Sequence, residues 1–169
     1  MAYDNNARSG AGQGGNRRPA PPRRIRPKVV FYGADGKISR ELVDSVAQGC
    51  AACFVRPFDS DMEKEAKKDH IKASQLRKFY GEAKALELAW TTGRDGGSPE
   101  RFSSVLPQIK LLKAKANYAL GRNVVPECFQ SWLCECVDQI REAGDFKAFL
   151  LHFEAVVGFA YGLGLKDND

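Results

Sequence analysis

Residues 112–122 read LKAKANYALGR, and the periodicity of this stretch sets the expected architecture. At roughly 100° per residue, Leu112, Ala116, Ala119 and Leu120 share one side of a helix with Ile109, the buried stripe of a packed element. Lys115, Tyr118 and Arg122 form a second stripe, roughly 120° away on the same geometry. Lys110 and Asn117 fall further round, and Lys113 flanks the apolar edge. No acid lies between Phe102 and Val125. A solvated helix face ordinarily mixes signs, because opposite charges one turn apart stabilise it. The cations of this helix are therefore expected to be unpaired and to lie along a polyanion; the alternative is that the lysines merely keep the helix soluble and Tyr118 is a half-buried core tyrosine.

The same periodicity extends to either side of this helix. Upstream, Ser74 is placed to cap a helix carrying Leu76, Phe79, Tyr80, Ala83, Leu86 and Trp90 at helical spacing. On its polar side Arg77, Gly81 and Lys84 recur at i, i+4, i+7 with Lys78 at the edge, and Gly81 leaves room for a close approach. TTGRDGG at 91–97 reads as a loop, and Ser98-Pro99-Glu100 as a helix entry. Pro107 either kinks the following helix or marks a true start near Ser103 or Ser104, and Gly121 can end it. Downstream, a helix from about Pro126 carries Phe129, Trp132, Leu133, Cys136, Val137 and Ile140, with Gly144 as its stop. Asp145 then caps a last helix with Phe149, Phe153, Val156, Val157 and Ala160 inward.

The N-terminal third is less regular. KVVFYGADGK at 28–37 is a short β-prone run with a turn and no partner strand, so it reads as an extended lead-in. From Ser39, Leu42, Val43, Val46 and Cys50 suggest a helix that Pro57 ends. Residues 59–70, DSDMEKEAKKDH, read as a linker or an exposed helical extension. Period-two alternation is nearly absent. The expected fold is all-α, a compact bundle of about five helices over 29–169 behind a disordered basic tail over 1–28.

Charge separates these two parts. Residues 1–28 hold Arg8, Arg17, Arg18, Arg23, Arg24, Arg26 and Lys28 against Asp4, whereas the rest of the chain has 19 basic and 20 acidic side chains. The net charge of +5 thus resides in the tail, and any basic surface on the body must come from sorting charges onto faces. The tail has four glycines, four prolines and no leucine, valine or phenylalanine, too little apolar area to offset the entropy of ordering. Its RRPAPPRRIRPK run resembles the arms that grip nucleic acid through phosphates; a purely solubilising leader is the alternative.

Other chemistry finds little support. The most apolar segment, 149–165, contains His152, Glu154 and glycines, poor material for a membrane span, and the first residues lack a signal-peptide core. A cytoplasmic protein is expected. Five cysteines without a secretion signal suggest free thiols, not a disulfide framework. Cys50 and Cys53 have a metal-ligand spacing, but Cys134 and Cys136 on a helix point apart, so zinc is disfavoured and no cofactor is expected. His70 and His152 have no partner at a telling spacing, and His152 reads as helix surface. No phosphate-binding loop, dinucleotide turn or nucleophile elbow is present, so no catalytic activity is assigned.

Three stretches in order resemble one known family. SQLRKFYGEAKALE at 74–87 resembles its signature helix, LKAKANYALGR at 112–122 its lysine-rich motif, and DFKAFLLHFEAVVGFAYGLG at 145–164 its C-terminal helix. The family is the small subunit of type III-A CRISPR effector complexes, the Csm small-subunit family. The resemblance implies a non-catalytic helical protein, several copies of which line a ribonucleoprotein filament beside other subunits. They would hold the paired guide RNA and target RNA by the backbone without reading bases, with no membrane partner. RNA cleavage in such complexes belongs to the repeated backbone subunit, and cyclic oligoadenylate synthesis and DNA cleavage to the large one. Arg77 matches the first motif, and Lys113, Lys115 and Arg122 the second. The arginine-rich tail, the Cys50/Cys53 pair and the long TTGRDGGSPE loop depart from the pattern.

The candidate RNA-binding residues are thus Arg77, Lys78, Lys84, Lys110, Lys113, Lys115, Tyr118 and Arg122, expected as one continuous strip over two helices. The competing expectation is a helical adaptor that binds proteins through exposed aromatics such as Trp90, Trp132 and Phe159, without touching RNA.

Overall fold

The computed structural model describes residues 26–55 and 70–166. The expectations for most of the basic tail, for Pro57 and for the charged run before His70 lie outside the described residues. Within them a 3-10 turn at Glu41–Val43 precedes five helices: α1 (Ser45–Phe54), α2 (Ala73–Thr91), α3 (Pro99–Gly121), α4 (Glu127–Gln139) and α5 (Ala143–Gly162). The described residues contain no strand, and the all-α reading holds.

Helix α5 is the central rod, packing against α1, α2, α4 and the 3-10 turn. Phe149, Phe153, Val156 and Ala160 are buried as their spacing requires. Their neighbours are aromatic. Trp132 of α4 meets Phe153 with ring centroids 4.9 Å apart and Phe54 of α1 at 5.3 Å, both edge to face, and Phe79 of α2 meets Phe129 at 5.2 Å. Such pairs add attraction beyond the area they bury.

His152 belongs to this core. It is fully buried, which corrects its reading as helix surface. Its Nδ1–H donates to the Leu42 carbonyl at 2.6 Å, and its Nε2 accepts the Trp132 indole N–H at 3.0 Å. The ring ties α5 to α4 and to the 3-10 turn, and burial pulls its pKa down to about 4.

Several helix ends differ from expectation. Ser74 does not cap α2, which begins one residue earlier behind Lys72 without a side-chain cap. Ser98 does cap α3, its hydroxyl accepting from the Arg101 N–H at 3.1 Å, with Pro99 in the first turn. α3 then runs unbroken through Pro107, so the later start near Ser103 is not used. Helix α4 stops at Gln139, five residues before Gly144, because Ile140 turns extended with its side chain buried. Gly144 lies inside α5. Asp145 caps that helix from within: its carboxylate accepts from the Arg141 N–H at 2.9 Å and the Glu142 N–H at 3.1 Å, half of a capping box with Glu142.

The lead-in is a small folded strap. Val29 and Phe31 are buried, and Tyr32 bridges Ile38 across a turn where Gly36 takes φ +72°. Glu135 of α4 accepts the Val29 N–H at 3.1 Å and pairs with Arg26 at 2.5 Å, while Gln139 donates to the Val29 carbonyl at 3.0 Å. The strap is thereby sewn onto α4.

Candidate nucleic-acid interface

Helices α2 and α3 form an antiparallel hairpin, and its turn is closely determined. Trp90 Nε1–H donates to the Ser98 carbonyl at 3.3 Å, and Arg101 Nε–H to the Ala89 carbonyl at 2.9 Å. At Gly96 an added Cβ would stand 2.1 Å from the Thr91 carbonyl oxygen, so only glycine fits there. Further along, Lys115 of α3 meets Glu82 of α2 at 2.7 Å.

Between the two helices runs an open groove. Gln75, Lys78 and Glu82 line it from α2, and Ala114, Lys115, Tyr118 and Arg122 from α3. Buried Phe79 and Ala119 form an apolar floor. Val124 closes one end, placed there by the way α3 stops. Arg122 is the last half-helical residue, and Asn123 follows in the left-handed region at φ 56°. The Asn123 N–H returns to the Leu120 carbonyl at 2.8 Å and the Val124 N–H to the Ala119 carbonyl at 3.1 Å. This double closure lets asparagine take the position usually given to glycine, and it leaves Arg122 standing at the groove mouth. Gly121, expected to end the helix, is its last residue.

The eight candidate residues divide among three faces. Lys78, Lys115, Tyr118 and Arg122 come together in the groove. Arg122 holds its guanidinium 5.6 Å from the Tyr118 ring centre, a cation–π distance, and donates Nη1–H to the Tyr118 hydroxyl at 3.3 Å. Arg77 and Lys84 lie on another face of α2, where Lys84 pairs with Glu87 and has its pKa raised by that contact. Lys110 and Lys113 lie on the opposite side of α3, toward α4. The expected continuous strip is therefore broken.

The expectation of unpaired cations is corrected too. Lys113 pairs with Asp138 of α4, which raises its pKa, and Lys115 pairs with Glu82. Lys110 is a structural part. Its ammonium donates to the carbonyls of Val137 and Ile140, both at 2.6 Å, satisfying the end of α4, and partial burial lowers its pKa. Asn117 is taken up likewise, accepting from Gln130 of α4 at 3.1 Å. The acids missing from α3 after its first turn come from its neighbours in space.

A stability prediction arises here. Lys110→Met keeps the packing stem and removes the donor, leaving two carbonyls at the α4 terminus without their partner. A loss of about 2 kcal/mol is expected in urea unfolding. RNA affinity should stay at the wild-type level, because this ammonium faces α4 and not the groove.

Gln75 and Glu82 were not among the candidates. They share the groove because 75, 78 and 82 recur at helical spacing, a signal available once the partner face is known. Among the described residues no group of three or more histidine, cysteine or acidic side chains is placed to hold a metal, and the five cysteines are free. No described helix is long and apolar enough to cross a membrane.

The family model for Csm2 Type III-A matches residues 58–162, well over half of the chain. The chain belongs to the Csm2 type III-A family. The match takes in α2 to α5, the groove included, and ends on the last residue of α5. The chain is thus a small subunit of type III-A CRISPR complexes, and the strap and α1 precede the part that carries the family match. No curated protein and no solved structure matches it.

Family membership and geometry also bear on the adaptor alternative. Trp90 and Trp132, the aromatics offered for protein contacts, are buried in the core at 2% and 0% exposure, and Phe159 is only partly exposed.

Proposed function

We propose that this Csm2 family protein is a non-catalytic subunit that holds the backbone of guide RNA and target RNA in the α2–α3 groove, without regard to sequence. The observation that carries the reading is the convergence of Lys78, Lys115 and Arg122 from two helices on one open channel whose lining holds a single carboxylate, Glu82. Phosphate is a better partner for Lys115 than the half-buried carboxylate it now meets, because an ion pair at the surface is worth little and is easily exchanged. Neutralising phosphates also releases condensed counterions, a gain indifferent to base identity.

Arg77, Lys84 and Lys113 lie on outer faces away from the groove lining, Lys84 and Lys113 held by Glu87 and Asp138. The arginine-rich segment upstream of Arg26 supplies a second source of the same contact. The strap anchors its root at Glu135 of α4. In this reading the protein works in the cytoplasm, needs no cofactor, and packs against other subunits and further copies of itself along the RNA. Exposed Leu88 and Leu151, at 61% and 48%, lie outside the groove lining and suit those protein contacts.

Amine footprinting tests the assignment of faces. The full-length protein is acetylated with and without RNA, and modified lysines are read by mass spectrometry. RNA is expected to protect Lys78 and Lys115 most, Lys84 and Lys113 less, and exposed Lys37 and Lys147 not at all. Equal reactivity of Lys78 and Lys115 in both samples would overturn the groove as the binding face.

A further inference from the structure

Tyr118 stands apart from every other aromatic residue described. The phenylalanines and tryptophans are buried or partly buried, and Tyr32, Tyr80 and Tyr161 are partly buried. Tyr118 alone is exposed, at 66%. A ring of that size left in water contributes little to the fold of a lone monomer, and it sits on the wall of the basic groove.

Its surroundings are arranged for a flat ligand. Arg122 lies over the ring at 5.6 Å and hydrogen-bonds its hydroxyl, so the ring is steadied without being covered. Ala114, one turn before, has no bulk to screen the ring, and the groove floor of Phe79 and Ala119 is apolar. Cations on both sides, Lys115 and Arg122, are placed to hold the phosphates that flank a base. A stacking surface beside a phosphate track is the device by which proteins bind single strands, since every base has a π-face.

We propose that Tyr118, steadied by Arg122, is a stacking platform for an unpaired nucleobase of the RNA held in the groove. The inference rests on the groove reading and adds a ligand class to it: bases that are single-stranded or turned out of a duplex. Bases inside a continuous duplex have both faces occupied and gain nothing from the platform. Stacking is indifferent to base identity, so the site adds affinity without reading sequence.

The test uses the full-length protein and two ligands of equal length: a single-stranded oligoadenylate and the same ribose-phosphate chain without bases. Tyr118→Ala, an exposed helix position where alanine is well tolerated, is expected to weaken oligoadenylate binding about tenfold. Its binding of the abasic chain should match wild type, and Tyr118→Phe should bind both ligands like wild type. If Tyr118→Ala weakens both ligands equally, or Tyr118→Phe fails as badly, the tyrosine is a phosphate or hydroxyl contact and the platform is refuted. If Tyr118→Ala changes neither ligand while Lys115→Glu with Arg122→Glu abolishes both, the platform fails and the groove stands. If neither variant changes either ligand, both readings fail together.

Discussion

Lowering the pH from 7.5 to 4.5 is expected to remove about 2.5 kcal/mol of stability through His152 alone. The cause is the two fixed bonds of its ring. Nδ1–H donates a hydrogen bond to the Leu42 carbonyl, and Nε2 needs its lone pair for the Trp132 N–H. A second proton on Nε2 would face the indole N–H and place a charge in an apolar core, so the folded ring titrates only at about 4. In the unfolded chain it titrates near 6.5, as an ordinary histidine does. The depressed folded value means that the contribution is complete above the unfolded pKa. It is lost as the pH falls toward the folded one, while the unfolded state takes up the proton first. Urea unfolding at the two pH values measures this loss, and His152→Gln isolates it. A glutamine amide can donate to Leu42 and accept from Trp132 but does not titrate. Whatever that variant costs at pH 7.5, its further loss on acidification should be smaller than that of wild type by about this amount. Equal acid sensitivity would show that His152 is not the buried neutral link described.

The burial of His152 had a signal in the sequence. It stands three residues after Phe149 and four before Val156, on the apolar side of α5, and its polar ring drew the weight away from its position. The helices themselves were legible for the same geometric reason. Stripes such as Leu112, Ala116 and Ala119, or Phe149, Phe153 and Val156, repeat every turn and need no partner to be recognised. Helix ends were harder. The α4 terminus is set by Ile140 going extended and by a lysine from α3 reaching its carbonyls, whereas Gly144 merely looked like a stop.

The same limit governs the site. Periodicity put Lys115, Tyr118 and Arg122 on one stripe of α3, and the groove contains all three. It could not say that Glu82 and Asp138 stand opposite Lys115 and Lys113, because those pairs depend on how α2 and α4 pack against α3. Nor could it show that Lys110 is consumed in closing α4. Absence of acids along one stretch of a helix is a one-dimensional fact, and charge compensation is settled in three dimensions. What survives is narrower than a continuous strip: one channel with three cations, one carboxylate and one exposed aromatic ring.

Reversing two of those cations should disturb binding more than any other change in the groove. In Lys115→Glu with Arg122→Glu, each change removes a phosphate partner and installs a repelling carboxylate. The new Glu at 115 also faces Glu82, so the groove turns from cationic to anionic while the buried floor is untouched. Both side chains are exposed, and exposed pairs contribute little to folding, so the variant should unfold near the wild-type midpoint. Affinity for RNA should fall roughly a hundredfold at low salt, about tenfold or 1.4 kcal/mol for each reversed charge.

The salt dependence of RNA binding by this double variant, beside wild type, decides whether the groove holds the RNA backbone. For two single-stranded RNAs of equal length and unrelated sequence, the plot of log affinity against log salt concentration should be equally steep for wild type. In the variant it should be shallower by about 1.4, roughly 0.7 for each phosphate no longer neutralised. An unchanged slope and affinity in a properly folded variant would contradict the assignment of this groove to the RNA backbone.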